Sequence, residues 1–139
     1  MAYATINPYT GETVATFPDA TDAEAKAALD KADAAFHTWR ETSFAERGRI
    51  LQNAADLLRR DSDAYAKLLT LEMGKLFAEA KAEVELSAKI FEYYVRHAEA
   101  LLKPEKLPVL DPAEGEAVLV HEPLGVLVAI EPWNFPYYQ

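Results

Sequence analysis

A chain of 139 residues that is 50% hydrophobic and 27% charged has the balance of a globular protein and could bury roughly two-thirds of its unfolded surface. Its net charge of −9 leaves no basic field to gather phosphates, which argues against nucleic acid and anionic membrane surfaces as partners. It has no cysteine, so disulfides, thiolate metal sites and a thiol nucleophile are excluded within these residues. His37, His97 and His121 lie far apart in sequence and match no metal-ligand spacing. The opening MAYATINPYTGE has neither a basic n-region nor an apolar h-region, and no apolar run approaches the roughly 18 residues of a membrane span. A cytoplasmic location is the expectation.

Tyr3 to Ile6 and Thr13 to Phe17 are short β-favouring runs on either side of Asn7-Pro8-Tyr9-Thr10-Gly11, a turn-rich link that predicts a hairpin. A lone hairpin is marginal in water, so it must lie on something larger. Thr21-Asp22-Ala23-Glu24 is a capping box, in which hydroxyl and carboxylate satisfy amides left free in a first helical turn. Ala25, Leu29, Ala32, Phe36 and Trp39 then share one face to about residue 40. Ser43 to Glu46 repeats the capping signal, and Phe44, Gly48, Leu51, Ala55 and Leu58, flanked by Ile50, Ala54 and Leu57, form a broad second stripe. Asp61 or Ser62 caps a third helix carrying Tyr65, Leu68, Leu69 and Met73, which should stop at Gly74 because glycine accepts left-handed angles.

The longest helix is expected from Leu76 to Leu102, ended by Pro104. Phe77, Ala80, Val84, Ser87, Phe91, Tyr94, Ala98 and Leu101 alternate three and four residues apart, with Lys75-Glu79, Glu85-Lys89 and Glu92-Arg96 available as ion pairs outside. Such a stripe also suits a coiled coil, although the neighbouring helices have similar faces in need of partners. The aromatics Phe91, Tyr93 and Tyr94 read as core. Glu105 to Gly115, with Pro108 and Pro112, reads as an extended linker, and Glu116 to Glu122 as a strand.

Val126 to Ile130 is a β-branched apolar run of the kind buried on both faces of a parallel sheet. Pro132 biases Glu131 toward extended backbone and Pro136 does the same for Phe135, so Trp133 and Asn134 are held between two stiff points. Beyond the carboxyl end of a parallel strand, an aromatic and an amide make a natural ligand contact. A core aromatic and a turn asparagine are the plainer alternative. Only three residues follow Pro136, too few for a crossover and a parallel partner, so the sequence reads as part of something longer.

At PWNFP the chain resembles the N-terminal part of the NAD(P)-dependent aldehyde dehydrogenase superfamily, most closely its succinate-semialdehyde dehydrogenase-like branch. Also supporting this are INPYTGETVATFP, TLEMGKLFAEAKAEV at Thr70 to Val84, and HEPLGVLVAIEPWNFP at His121 to Pro136. One departure is Leu76, where many relatives have proline after MGK. The resemblance implies an α/β fold rich in helix, with a hairpin, four helices, a subunit-contact strand and the first strand of an incomplete Rossmann-like parallel sheet. By that resemblance residues 1–104 are the hairpin and helical part of a cofactor-binding domain. Residues 105–123 are then linker and oligomerisation arm, and residues 124–139 a truncated first strand and PWNFP loop.

In that family a cysteine thiolate attacks the aldehyde, hydride passes to NAD or NADP, and a glutamate-activated water releases the acid. The resemblance assigns the Asn134 side-chain amide to the oxyanion formed on attack, the backbone of Ile130, Pro132 and Trp133 to the cofactor, and Phe135 and Tyr138 to the substrate tunnel. The nucleophile and base are absent here, so the chain is expected to be an inactive segment that does not bind cofactor alone and belongs to a homo-oligomeric enzyme acting on an aldehyde. A non-catalytic helical interaction module is the alternative, since an unpaired strand and exposed apolar stripes are association-prone.

Overall fold

A computed structural model describes residues 3–111, 113 and 115–139. The hairpin forms as expected: β1 (Tyr3–Ile6) pairs antiparallel with β2 (Thr13–Phe17), Tyr3 opposite Phe17, with an irregularity between Thr5 and Ile6. The Asn7 side chain accepts from the Tyr9 amide at 2.9 Å, and the Asn7 amide donates to the Glu12 carbonyl. The support that the hairpin needs comes at one point from the turn between the third and fourth helices. Gly74 has φ +76°, and a Cβ placed on it would stand 3.0 Å from Pro8 Cγ. Two costs of a side chain, the left-handed angle and the close approach, therefore meet at the glycine that stops the third helix.

The four helices are α1 (Asp22–Trp39), α2 (Phe44–Arg60), α3 (Ser62–Met73) and α4 (Phe77–Leu101). Two of the three expected N-caps are present. Thr21 and Glu24 make the reciprocal box, and the Ser43 hydroxyl accepts from the Glu46 amide at 3.1 Å. Asp61 occupies the cap position of α3 but makes no side-chain cap bond: its backbone (φ −106°, ψ 20°) is not in the extended region of a capping residue, and its carboxylate accepts instead from the Arg60 guanidinium, with Nε donating at 3.0 Å. At Leu76 the chain enters α4 with ψ 136° and no side-chain cap.

α4 is the central element, packing against both α2 and α3. Ala66, Leu69, Ala80 and Val84 form the buried cluster, with Leu58, Tyr65 and Tyr137 against it. Ala55 and Ala88 are also fully buried. Small residues at these positions let helix axes come close, and at Gly48 an added Cβ would already touch Val95 at 3.5 Å. The stripe on α4 is buried only in its first half. Tyr93, Tyr94 and Leu101 remain about half exposed, which corrects the expectation of core aromatics there. The face of α1 is likewise open: the helix buries no residue and Leu29 is 51% exposed. Helical periodicity marks a face that can be buried, while burial requires a second element within reach.

Val84 is the largest fully buried side chain among the described residues. Val84→Ala removes two methyl groups from a closed site and should lower unfolding free energy by about 2 kcal/mol. Urea titration of the variant would measure it, and a loss below about 0.5 kcal/mol would mean the site collapses around the gap.

A forked contact ties α2 to α4. Arg59 Nε donates to Glu85 at 3.0 Å, and Arg59 also donates from both terminal nitrogens to Glu92. The Arg59 hydrogen bonds hold the carboxyls of Glu85 and Glu92 below the ordinary glutamate range, and the same bonds raise the guanidinium. A depressed carboxyl pKa contributes stability above the unfolded value, and that contribution is lost as pH falls through the folded one. The urea midpoint should therefore decline on acidification from about pH 5 to about pH 3. In Arg59→Gln the decline should be shallower; an equal slope would assign acid sensitivity to other carboxylates.

Glu85-Lys89 and Glu92-Arg96 are within reach at 3.8 and 3.4 Å. Lys75 instead pairs with Glu83, not Glu79, because it lies before α4 begins and the i,i+4 geometry does not apply to it.

The segment expected as a linker contains β3 (Glu105–Leu107), which pairs antiparallel with β4 (Ala117–Leu119), Lys106 opposite Val118. The strand expected over Glu116 to Glu122 is thus shorter than its pattern. Pro112, part of that expected linker, lies outside the described residues. Val126 to Ile130 forms no ladder. Its apolar side chains are largely exposed, and Ile130 is 93% exposed. A parallel strand exists only when a neighbour accepts its hydrogen bonds, and the described residues offer none.

Candidate functional site

Residues Trp133 to Gln139 follow the exposed run as consecutive turns, closed where the Gln139 amide donates to the Phe135 carbonyl at 3.0 Å. Pro132 and Pro136 stiffen the segment and donate no hydrogen bonds. What holds it against the helices is an ion pair beneath it. Glu83, on α4, is 3% exposed. Its carboxylate takes the Lys75 ammonium and the backbone amides of Tyr137 at 3.0 Å and Tyr138 at 3.4 Å. Lys75 Nζ also donates to the Asn134 carbonyl at 3.0 Å and sits 3.8 Å from the centre of the Phe135 ring.

Tyr137 secures the far end by packing on Tyr65, ring centres 5.4 Å apart, against the helical core. Burial, with Tyr65 and the Glu72 and Glu83 carboxylates nearby, pushes its phenol above the ordinary range. Phe135 and Tyr138 meet edge to face at 6.1 Å. Lys75, Glu79, Ala82, Glu83, Leu86 and Phe135 line an open groove of about 360 Å³.

The six residues singled out from the sequence fall into two groups. Asn134, Phe135 and Tyr138 are drawn into one anchored turn over α4. Ile130 and Pro132 precede it and Trp133 opens it, and all three stay exposed, Trp133 at 81%. Asn134 is itself exposed, with its backbone carbonyl held by Lys75. Lys75, Glu83 and Tyr137 were not anticipated. One signal was present: Glu83 falls within the apolar stripe, three residues after Ala80 and four before Ser87, and a carboxylate on a buried face requires partners.

The profile of the Aldehyde dehydrogenase family matches residues 1–139. The chain belongs to the aldehyde dehydrogenase family. It is 49% identical to the succinate-semialdehyde dehydrogenase [NADP(+)] of Deinococcus radiodurans, with 99% of this chain aligned to 28% of that protein. Against succinate-semialdehyde dehydrogenase [NADP(+)] 1 of Mycobacterium tuberculosis it is 49% identical, over 100% of this chain and 30% of the relative. The crystal structure of succinic semialdehyde dehydrogenase from Streptococcus pyogenes in complex with NADP+ superposes with a TM-score of 0.91 at 42% identity, covering 99% of this chain and 30% of that one. The chain therefore spans a little under a third of these relatives' length, and what it matches is the N-terminal portion of the aldehyde dehydrogenase fold. The helix-rich α/β reading of the sequence agrees with that portion. No helix among the described residues is long and apolar enough to cross a membrane.

Proposed function

We propose that these residues are the N-terminal segment of an NAD(P)-dependent aldehyde dehydrogenase that oxidises an aldehyde to its carboxylic acid, with succinate semialdehyde the favoured substrate and NADP the favoured cofactor. The observation that carries the reading is the anchored Trp133–Gln139 turn in a chain 49% identical to relatives named for that aldehyde and cofactor. By the family mechanism that the resemblance implies, activity requires a thiol from outside these residues, since the chain has no cysteine, and a general-base glutamate that the resemblance also places outside them.

The residues that lead into and open the turn suit a dinucleotide, since Ile130 and Trp133 present open apolar surface beside it. Ile130, Pro132 and Trp133 would hold the group there, and when bound it supplies the hydride acceptor. Asn134 donates its side-chain amide to the oxygen that becomes negative when the aldehyde is attacked. A neutral amide does this without a titration of its own. Phe135 and Tyr138 face the substrate and exclude water from it. Residues 105–123, with the β3–β4 ribbon, form the arm through which copies assemble. Assay of the enzyme containing this segment against a panel of aldehydes, with NADP and NAD compared, tests the reading. Highest kcat/KM for succinate semialdehyde with NADP is the expected result, and turnover only of other aldehydes would overturn the substrate.

A further inference from the structure

We propose that Lys75 and Glu83 are positioning residues for the Asn134 side chain. The inference rests on the reading of Asn134 as the oxyanion donor and adds what aims it. Prolines 132 and 136 fix only their own φ angles and restrict the residues before them. The orientation of the Asn134 carbonyl, set by the ψ angle of Asn134, is fixed by the Lys75 ammonium at 3.0 Å. The peptide planes after Pro136 are fixed by Glu83, whose carboxylate accepts from the Tyr137 and Tyr138 amides. Because Lys75 and Glu83 also bind each other, the two sides of the turn are referred to a single point at the start of α4.

The chemistry of the pair suits this task better than simple support. An ammonium carries three donors on one point charge. Here it meets a carboxylate, a carbonyl and the Phe135 ring face. Its side chain is 10% exposed and that of Glu83 1%, so both charges lose most of their water. Apolar replacements for such a pair are often as stable or more so, whereas a donor that acts on a transition state must be held to within about 0.5 Å.

Lys75→Met keeps the stem and removes the donors. In the intact protein, hydrogen exchange over peptides spanning Trp133–Gln139 should accelerate about ten-fold or more, the scale of a lost bond to a charged group, while α2 peptides are unchanged. Turnover of the enzyme should fall with little change in KM for aldehyde. In an Asn134→Ala background the same substitution should lower it no further, because the group being aimed is gone. Should Lys75→Met fail to fold, Lys75→Met with Glu83→Gln, which buries no lone charge, gives the same readouts. Unchanged exchange, or an equal loss of turnover with and without Asn134, overturns the proposal. Full turnover in Asn134→Ala alone would instead remove the oxyanion reading and this proposal with it.

Discussion

Asn134→Ala is expected to lower kcat by about 10²- to 10³-fold, the usual effect of removing one preorganised oxyanion donor, with KM for aldehyde nearly unchanged. In the proposed role the amide acts where charge develops, so the loss would belong to the transition state and not to the ground-state complex. Stability should scarcely change, since the side chain is exposed and its anchored group is the backbone carbonyl. Asn134→Asp is the sharper comparison. It keeps size and shape but sets a carboxylate against a developing negative charge, so it should be at least as damaging as alanine. Steady-state kinetics of the enzyme containing this segment, with thermal unfolding as the control for folding, would check both. Turnover within about three-fold of the parent in both variants would assign Asn134 to the turn alone.

Glu83→Ala should be the most destabilising single change around the turn, at about 3–5 kcal/mol. The carboxylate is almost wholly buried and serves the Lys75 ammonium and two backbone amides. Alanine leaves the ammonium without its counter-charge in a site from which water is largely excluded, and leaves the amides bare as well. Glu83→Gln retains an acceptor and much of the shape and should cost roughly half as much. Adding Lys75→Met to Glu83→Ala should recover part of the loss, because no buried charge then stands alone. Urea denaturation of the parent, Glu83→Ala, Lys75→Met and the double variant completes the cycle. A cost below about 1 kcal/mol for Glu83→Ala would mean that water reaches the pair and that it behaves as a surface salt bridge.

These two effects differ in how far the residues announce them. The place of Asn134 in a stiffened turn was legible, because PWNFP confines it between two prolines; its role is what the resemblance implies and the proposal carries. Glu83 was visible only as an acidic residue out of place on an apolar stripe, and its partners were not. Lys75 stands 59 residues from Asn134, and the local spacing suggested Glu79 as its partner. The aromatics of α4 misled for a related reason: Tyr94 lies on the periodic stripe and Tyr93 beside it, yet both remain about half exposed.

The sequence by itself determined what depends on near neighbours. The Thr21 and Ser43 caps, the stop at Gly74, the periodic faces of four helices and the first hairpin are each settled by atoms a few residues apart, so local patterns report them. Tertiary structure alone decided which apolar faces are covered, that β3 finds β4 across a proline-containing segment, that Val126 to Ile130 has no ladder, and that Lys75 and Glu83 pin the Asn134 turn. Each of these needs two groups distant in sequence to meet. The periodicity that makes such a meeting favourable is the same whether or not the partner is there.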